Sequence, residues 1–502
     1  MIFRVVIMAG TESIITPEGV LMLGSLLLGV GLTYLFARAV YNVYFHPLSS
    51  FPGPRLAAAS ELTKSYYGAR GRMIPWVQAL HQQYGEVVRI GPNELSFITD
   101  SAWKDIYMHR PQFPKHFNFT NPNETDALIS ADDASHSRQR RLLAHAFSDK
   151  AIREQEALLH VYVDLLVSKL QEESHARDGV VDLVDWYRYT TFDVIADLCF
   201  GESFHSLENK VEHAWVSSIY SSMKATHFLD IAARFPMLRV IIRLGMPFLR
   251  RQREQSFKYP QKKVTARLNR ETDRPDFMSY ILRYNDEKGV TRDEIDSNFE
   301  TFTIAGSDTT ATLMMGCTYH LLQNPKVLER LNAEVRTIFD SAQDIKLAAL
   351  GKMPYLIAVL EESLRIHPPV PGGFGRRVLP EGATISGRWV PGGTAVNIPQ
   401  KAANVSHHNF AEANSFIPER WLEVHDPIFD NDRKGVVQPF SAGPRNCLGK
   451  NLAIAEMRII LAKMIWHFDM ELMNVDKDWT DQRLFVLPES KPLLVKLKPR
   501  VL

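Results

Sequence analysis

Cysteine is scarce in this sequence: three in 502 residues, Cys199, Cys317 and Cys447. So few thiols offer no disulfide framework and suit a reducing compartment. Excess charge is missing too, with 58 Lys and Arg set against 57 Asp and Glu for a net of +1. No basic run stands out, which argues against a nucleic-acid partner. Internal repeats and low-complexity tracts are absent, so repeat architectures find no support. Only one apolar run reaches membrane-spanning length.

That run, Val20 to Ala37, is uncharged and is followed by aromatics at Tyr41, Tyr44 and Phe45, as at a bilayer interface. Arg38, Arg55, Lys64, Arg70 and Arg72 lie after it against Arg4 alone before it, which places the bulk of the chain in the cytosol. The alternative is a cleaved signal peptide, since Ala37-Arg38-Ala39 resembles a small-x-small site. The run is long for such a segment, and secretion would expose a reactive thiolate to oxidation. Four regions are therefore expected: a short lumenal N-terminus (1–19), a transmembrane anchor (20–37), a proline-rich hinge (38–55) and one catalytic domain (56–502). Asn-x-Ser/Thr triplets at Asn118, Asn123 and Asn404 would then face the cytosol and carry no glycan.

Beyond the hinge the pattern is mostly helical, with a strand pair at Gly85–Ile98 turning on Gly91-Pro92-Asn93 and further short strands at Ala383–Pro399. The expected fold class is mainly α with small β-sheets. The segment Gln112–Asp133 is too polar and too rich in breakers for a core element, and loops of that length are often functional. Ile231–Leu249 is apolar and interrupted by prolines, so it lines a substrate entrance, rests on the bilayer, or both. Cys199 and Cys317 sit on apolar helical faces and read as core.

Four motifs carry the chemistry. Phe440-Ser-Ala-Gly-Pro-Arg-Asn-Cys-Leu-Gly449 sets Cys447 between Gly443 and Gly449, just before the helical run KNLAIAEMRIILAKMIWHF. A lone cysteine is most often a small buried hydrophobe. At a helix N-terminus, though, its thiolate is stabilised and can hold a haem iron. Second, Glu362 and Arg365 are three apart, so on a helix they share a face and can pair, with Pro418-Glu419-Arg420-Trp421 farther on. Alone this is an ordinary surface pair. Third, Ala305-Gly306-Ser307-Asp308-Thr309-Thr310 interrupts a periodic stretch from about 291 to 323 with poor helix formers, after a capping box at Thr291 and Glu294. Back-bonding hydroxyls there tend to bend a helix, and sequences accept such distortion where it is useful. The alternative is a tolerated polar patch. Fourth is His136-Ser-Arg-Gln-Arg-Arg141.

The ten residues around Cys447 match the haem-binding signature of the cytochrome P450 family at every fixed position, and the other motifs follow in family order. The chain thus resembles fungal microsomal P450 monooxygenases of secondary metabolism, on the further strength of YNVYFHPLSSFPGPRLAAA and PPVPGG. The resemblance implies the P450 fold and heme b with Cys447 as axial ligand. It implies Phe440 and Gly449 beside the haem, and propionate contacts from Arg445, Arg140, His136 (where the family usually has Trp) and Arg376 or its neighbour Arg377. Arg138 and Arg141 are expected to be solvated. Glu362, Arg365 and Arg420 would form a buried network behind the haem. Thr309 would steady bound oxygen by a hydrogen bond, Asp308 would pass protons from solvent, and Gly306 would open room for O₂. The long loop would act as a lid, with pocket positions around Phe117, Phe119, Phe302, Ala305, Val370 and Phe374.

The implied reaction is insertion of one oxygen atom from O₂ into a hydrophobic small molecule, a terpenoid, polyketide or indole-derived intermediate. The implied partners are NADPH-cytochrome P450 reductase, with cytochrome b5 as a further donor, at the endoplasmic reticulum membrane. A reductase-independent isomerase or dehydratase of the same fold, or a non-catalytic haem protein, are the alternatives. Intact Asp308-Thr309 argues against the first, and the lack of a signalling module argues against the second.

Overall fold

A computed structural model describes residues 17–116, 127–272, 274–285, 289–473 and 478–500. The longer helices are α1 (Pro17–Tyr44), α2 (Met73–Tyr84), α3 (Asp133–Leu143), α4 (Asp149–His175), α5 (Leu183–Phe200) and α6 (Ala214–Ala233). They continue with α7 (Pro236–Leu268), α8 (Arg292–Gln323), α9 (Pro325–Ile338), α10 (Pro354–Ile366) and α11 (Lys450–His467).

Helix α1 is longer than the apolar run that defines it and, except near its end, lies exposed along its length. An uncovered apolar helix of 28 residues is long enough to cross a bilayer. At its end Asn42 is buried and donates to the Ala59 carbonyl at 3.0 Å, fastening the helix to the domain.

Local sequence explains most boundaries. The Asp132 side chain accepts from Ser135 N to start α3, and Ser148 does the same for α4 through Ala151 N. At the start of α8, Thr291 Oγ1 accepts from Glu294 N at 3.3 Å while the Glu294 carboxylate accepts from Thr291 N at 2.9 Å, the expected capping box. Within α8, Thr303, Ser307 and Thr309 each donate to the carbonyl four residues back. The expected distortion does not interrupt the helix: the hydroxyls are absorbed by their own turns, and α8 runs unbroken for 32 residues. Helix α7 likewise passes through Pro247, where the sequence suggests a break, and through Pro260. Each proline removes one N–H bond, a loss that the remaining bonds of a 33-residue helix tolerate.

The strands fall where expected but divide among sheets. β1 (Val87–Gly91) and β2 (Glu94–Phe97) form the antiparallel pair. The Ala383–Pro399 segment yields β5 (Ala383–Ile385) and β6 (Arg388–Val390) as a hairpin, while β7 (Ala395–Asn397) joins a four-stranded sheet of order β1-β2-β7-β4. Strand β4 is the arginine pair Arg376–Arg377 itself. β3 (Val180–Asp182), β9 (Leu494–Pro499) and β8 (Phe468–Leu472) close the C-terminal sheet.

A large apolar core joins α4, α5, α8, α9, α10 and α11, and a second core lies against the four-stranded sheet. Cys199 and Cys317 are fully buried in the first, as expected. Asn404 is buried as well and donates to the Arg365 carbonyl at 3.1 Å, so it is closed to glycosylation on either side of a membrane. Asn118 and Asn123 lie outside the described residues.

Candidate active site around Cys447

The site is built where α11 begins. Gly443 adopts φ +75°, and a Cβ there would stand 2.2 Å from the Tyr107 carbonyl oxygen, so only glycine fits. Gly449 differs: it caps α11 at φ −83°, where any residue is comfortable. Between them the Cys447 amide donates to the Phe440 carbonyl at 2.8 Å, which closes the loop and holds the thiol in place. Lys450 stands 5.7 Å from the Phe440 ring centroid.

Of the three cysteines only Cys447 has an exposed side chain. Protein nevertheless surrounds it densely enough that burial is the largest influence on its thiol and pushes the pKa up. The Gly449 N–H and the charges of Arg140 and Lys450 pull in the opposite direction. An open sulfur with an amide hydrogen bond and two nearby cations is the donor set a thiolate metal ligand needs.

The expected propionate group converges on this loop from separate elements. Arg140 of α3 donates through Nη1 to the Asn446 carbonyl at 2.7 Å and through Nη2 to the Asn446 side-chain oxygen. Arg445 donates to Gln112 Oε1 at 3.2 Å, to the Ala131 carbonyl at 2.8 Å and to Asp133 Oδ1 at 2.6 Å. It therefore ties the cysteine loop to both ends of the segment that holds Phe117 and Phe119. Those two residues lie outside the described ones. His136 is buried, and burial, reinforced by Arg445 and Arg140, lowers its pKa to about 4. Its imidazole is neutral at physiological pH.

Arg376 and Arg377 are separated by the alternation of β4. Arg376 is buried, with its guanidinium 5.7 Å from the Tyr107 ring, Nη1 donating to the Phe113 carbonyl at 3.3 Å and Nε without a partner among the described residues. Arg377 is exposed and donates to the Gly393 carbonyl. A buried guanidinium nitrogen left unmatched fits an anionic group of a cofactor at this position.

Arg138 corrects an expectation. Rather than being solvated, it donates to the Gly289 carbonyl at 2.6 Å and to Glu294 Oε2 at 3.0 Å, locking α3 onto the capping box of α8. The sequence gives no sign of this, because the two residues are 156 positions apart.

On α8, Thr309 Oγ1 donates to the Ala305 carbonyl at 2.6 Å. Ala305 is exposed in mid-helix, as a chamber-lining residue would be. Asp308 is buried and meets Arg188 of α5, whose Nε lies 3.2 Å from Oδ1. Arg188 also reaches Ser490 in the C-terminal loop at 3.3 Å. Nothing in the local sequence marks this arginine as the partner of Asp308. A Cβ on Gly306 would sit 2.8 Å from Ile195 Cδ1, so this glycine lies where α5 and α8 pack closely. Phe302 packs with Phe147, Phe277 and Phe299 in an aromatic cluster and is 8% exposed. Val370 is half-buried and Phe374 exposed, with the Phe374 carbonyl accepting from the Tyr107 hydroxyl at 2.8 Å.

The expected charged network gathers on Glu362 of α10. Glu362 accepts from Arg365 Nε and Nη2 at 2.8 and 2.7 Å, Ile417 N at 2.8 Å, Arg420 Nε at 3.2 Å and Trp421 Nε1 at 2.8 Å. Arg420 also pairs with Asp432, a member that sequence spacing does not reveal. All three expected members are fully buried. A separate cavity of about 550 Å³, lined by Pro52, Tyr84, Asp100 and Arg433 among others, shares no residue with this cluster.

Comparison with known proteins agrees with this geometry. Residues 63–496 match the family described as Cytochrome P450. Cytochrome P450 monooxygenase lcsI of Purpureocillium lilacinum is 45% identical over 482 residues, 94% of this chain and 93% of that protein. Cytochrome P450 monooxygenase astA of Talaromyces wortmannii is 43% identical, covering 96% of this chain and 98% of its own length. Averantin hydroxylase of Dothistroma septosporum is 42% identical, with 96% and 93% covered. The chain belongs to the cytochrome P450 family. Membership implies a haem-thiolate cofactor, and the open Cys447 thiol with its ring of arginines fits that group.

Proposed function

We propose that this protein is a haem-thiolate monooxygenase that oxidises a hydrophobic small molecule in secondary metabolism, by hydroxylation or epoxidation. The carrying observation is the Cys447 loop: an exposed sulfur held by the Cys447–Phe440 backbone bond and flanked by Gly449 N–H, Arg140 and Lys450. Names of the relatives, monooxygenases and an averantin hydroxylase, support the reaction class.

When bound, the heme b supplies a redox-active iron for RH + O₂ + 2e⁻ + 2H⁺ → ROH + H₂O. Cys447 would hold that iron through its sulfur. Arg140, Arg376, Arg445 and neutral His136 would offer hydrogen-bond donors to the propionates of the haem, and Phe440 would pack against it. Asp308 carries protons inward, with Arg188 holding its carboxylate, and Thr309 presents a hydroxyl at the helix face beside Ala305. Glu362, Arg365 and Arg420 keep the proximal scaffold rigid. Ala305, Val370 and Phe374 line the substrate side.

Electrons come from NADPH-cytochrome P450 reductase, with cytochrome b5 as a second donor. The anchor, within α1, holds the protein in the endoplasmic reticulum membrane in a single pass, with residues 1–19 lumenal, 38–55 as a hinge and the catalytic domain from 56 onward in the cytosol. Exposed Met237, Val240, Ile241 and Leu244 at the start of α7 rest on the same bilayer. Metabolites of a deletion strain and its parent identify the substrate. Turnover of that substrate with labelled O₂, with and without reductase, then tests the reading. Label in a product formed only with reductase supports it, and product formed without reductase contradicts it.

A further inference from the structure

Tyr107 ends a five-residue π-helical turn, Trp103–Tyr107, that continues the short helix Asp100–Ala102. Turns of this kind are rare and frequently stand at functional sites. This one is held in place at its start, where Trp103 Nε1 donates to the Val436 carbonyl at 2.9 Å and the Trp103 ring lies 4.8 Å from that of Tyr107. At its end, the Tyr107 carbonyl oxygen is the atom that would stand 2.2 Å from a Cβ on Gly443, so the Tyr107 backbone lies against the cysteine loop. The hydroxyl of the same residue donates to the Phe374 carbonyl at 2.8 Å. Tyr107 is 5% exposed. One buried residue therefore reaches from the loop that carries Cys447 to Phe374.

Phe374 needs such a fixture. It is the one side chain in residues 372–375, among three glycines, and Gly373 takes φ +66°. Glycines widen the conformations open to a backbone, so tethers to neighbouring elements decide where this ring stands. Asn397 Nδ2 donates to the Gly372 carbonyl at 2.9 Å, and His116 N donates to the Gly375 carbonyl at 3.0 Å. The Tyr107 hydroxyl holds the carbonyl of Phe374 itself.

Resting on the monooxygenase reading above, in which Phe374 lines the substrate side, we propose that Tyr107 is a positioning residue for substrate selection: its hydroxyl sets where the Phe374 wall stands relative to the Cys447 loop. Tyr107→Phe removes the donor and keeps the ring. The packing on Trp103 and the Arg376 guanidinium 5.7 Å from the ring centroid are retained. The cysteine loop keeps its contact too, because Gly443 meets the Tyr107 backbone and not the hydroxyl. The Phe374 carbonyl loses that donor, and the wall is free to move among the conformations its glycines permit. The consequence is a change in which ligands fit, with the haem still held.

The test titrates the full-length holoenzyme with imidazole and with 4-phenylimidazole, two azoles that bind iron through nitrogen and differ by one phenyl ring. Tyr107→Phe should keep its haem and its imidazole affinity. Its 4-phenylimidazole affinity should change by about threefold to tenfold, the worth of one neutral hydrogen bond, in the same direction as in Phe374→Ala. In the double variant Tyr107→Phe, Phe374→Ala the lost hydroxyl should have no further effect, since the ring it positions is gone. A role in stability alone would lower the melting temperature and leave the ratio of the two affinities untouched. A wild-type ratio in Tyr107→Phe or in Phe374→Ala, additive effects in the double variant, or loss of haem from Tyr107→Phe would each overturn the inference. If wild type gives no nitrogen-ligated haem spectrum with imidazole, the reading of the Cys447 site fails first, and that outcome is distinct.

Discussion

Arg140 grips Asn446, the residue before Cys447, at two points: Nη1 on its carbonyl at 2.7 Å and Nη2 on its side-chain oxygen. A guanidinium spread across the backbone beside a thiol fixes the loop and favours the thiolate at once. Arg140→Leu should therefore weaken haem retention by about tenfold or more, as loss of a ligand-orienting partner does. Arg140→Lys keeps the charge without the fork and should fall between. Haem-to-protein ratios after dialysis check both, and a Leu variant with wild-type retention would show that the contact is incidental.

Glu362 receives five donors with no solvent to replace any of them. Glu362→Ala or Arg365→Ala should cost ~3–5 kcal/mol by stranding buried charge, and the protein should be recovered without haem. Trp421→Phe removes one donor and should cost about 1 kcal/mol. Chemical denaturation with haem absorbance as the probe distinguishes these, and a stable, haem-replete Glu362→Ala would contradict the account.

His136 gives the site an acid limit. Its pKa is lowered by burial from the ordinary histidine range to about 4, so the folded protein keeps it neutral while the unfolded chain protonates below about 6.5. Its contribution is present above that pH and is lost as pH falls from about 6.5 to 4. Melting temperatures across this window should decline less steeply in His136→Gln than in wild type. Parallel curves would mean that the imidazole does not titrate differently on folding.

The parts of this site that were legible in sequence are those whose constraint is local. Gly443, Pro444, Arg445 and Cys447 sit within one turn, and the capping box needs only Thr291 and Glu294. The strand pair at β1 and β2 follows from alternation about a tight turn. What was not legible depends on contacts between distant segments. Arg188 finds Asp308 across 120 residues, and Arg138 finds Glu294 across 156. The packing of Phe302 against Phe147 and Phe277 likewise joins segments far apart in sequence. Pro247 suggests a helix end, yet α7 is long enough to continue through it.

Asn42 holds the end of α1 to Ala59, so a cut before it leaves that contact with the rest of the protein. Deleting residues 1–38 should release most of the protein from membranes washed in high salt and leave the haem spectrum intact. Adding Ile241→Asp and Leu244→Asp on the exposed start of α7 should release the remainder. Sedimentation of each variant checks this, and a native N-terminus found at Arg38–Val40 would instead establish a cleaved signal peptide.

Thr309→Ala separates chemistry from scaffold. Haem and substrate binding should persist, NADPH should still be consumed, and product per NADPH should fall sharply as oxygen leaves as peroxide. Asp308→Asn should instead slow NADPH consumption itself, because the relay loses its proton-carrying acid. Unchanged product yield in Thr309→Ala would show the hydroxyl to be dispensable.

The most direct measurement is the reduced carbon-monoxide difference spectrum of wild type beside Cys447→Ser. Wild type should give the long-wavelength band of a thiolate-bound haem, and Cys447→Ser should lose that band together with all turnover. A Cys447→Ser protein that kept the thiolate band would contradict the assignment of Cys447 as the iron ligand, and with it the reading of this site.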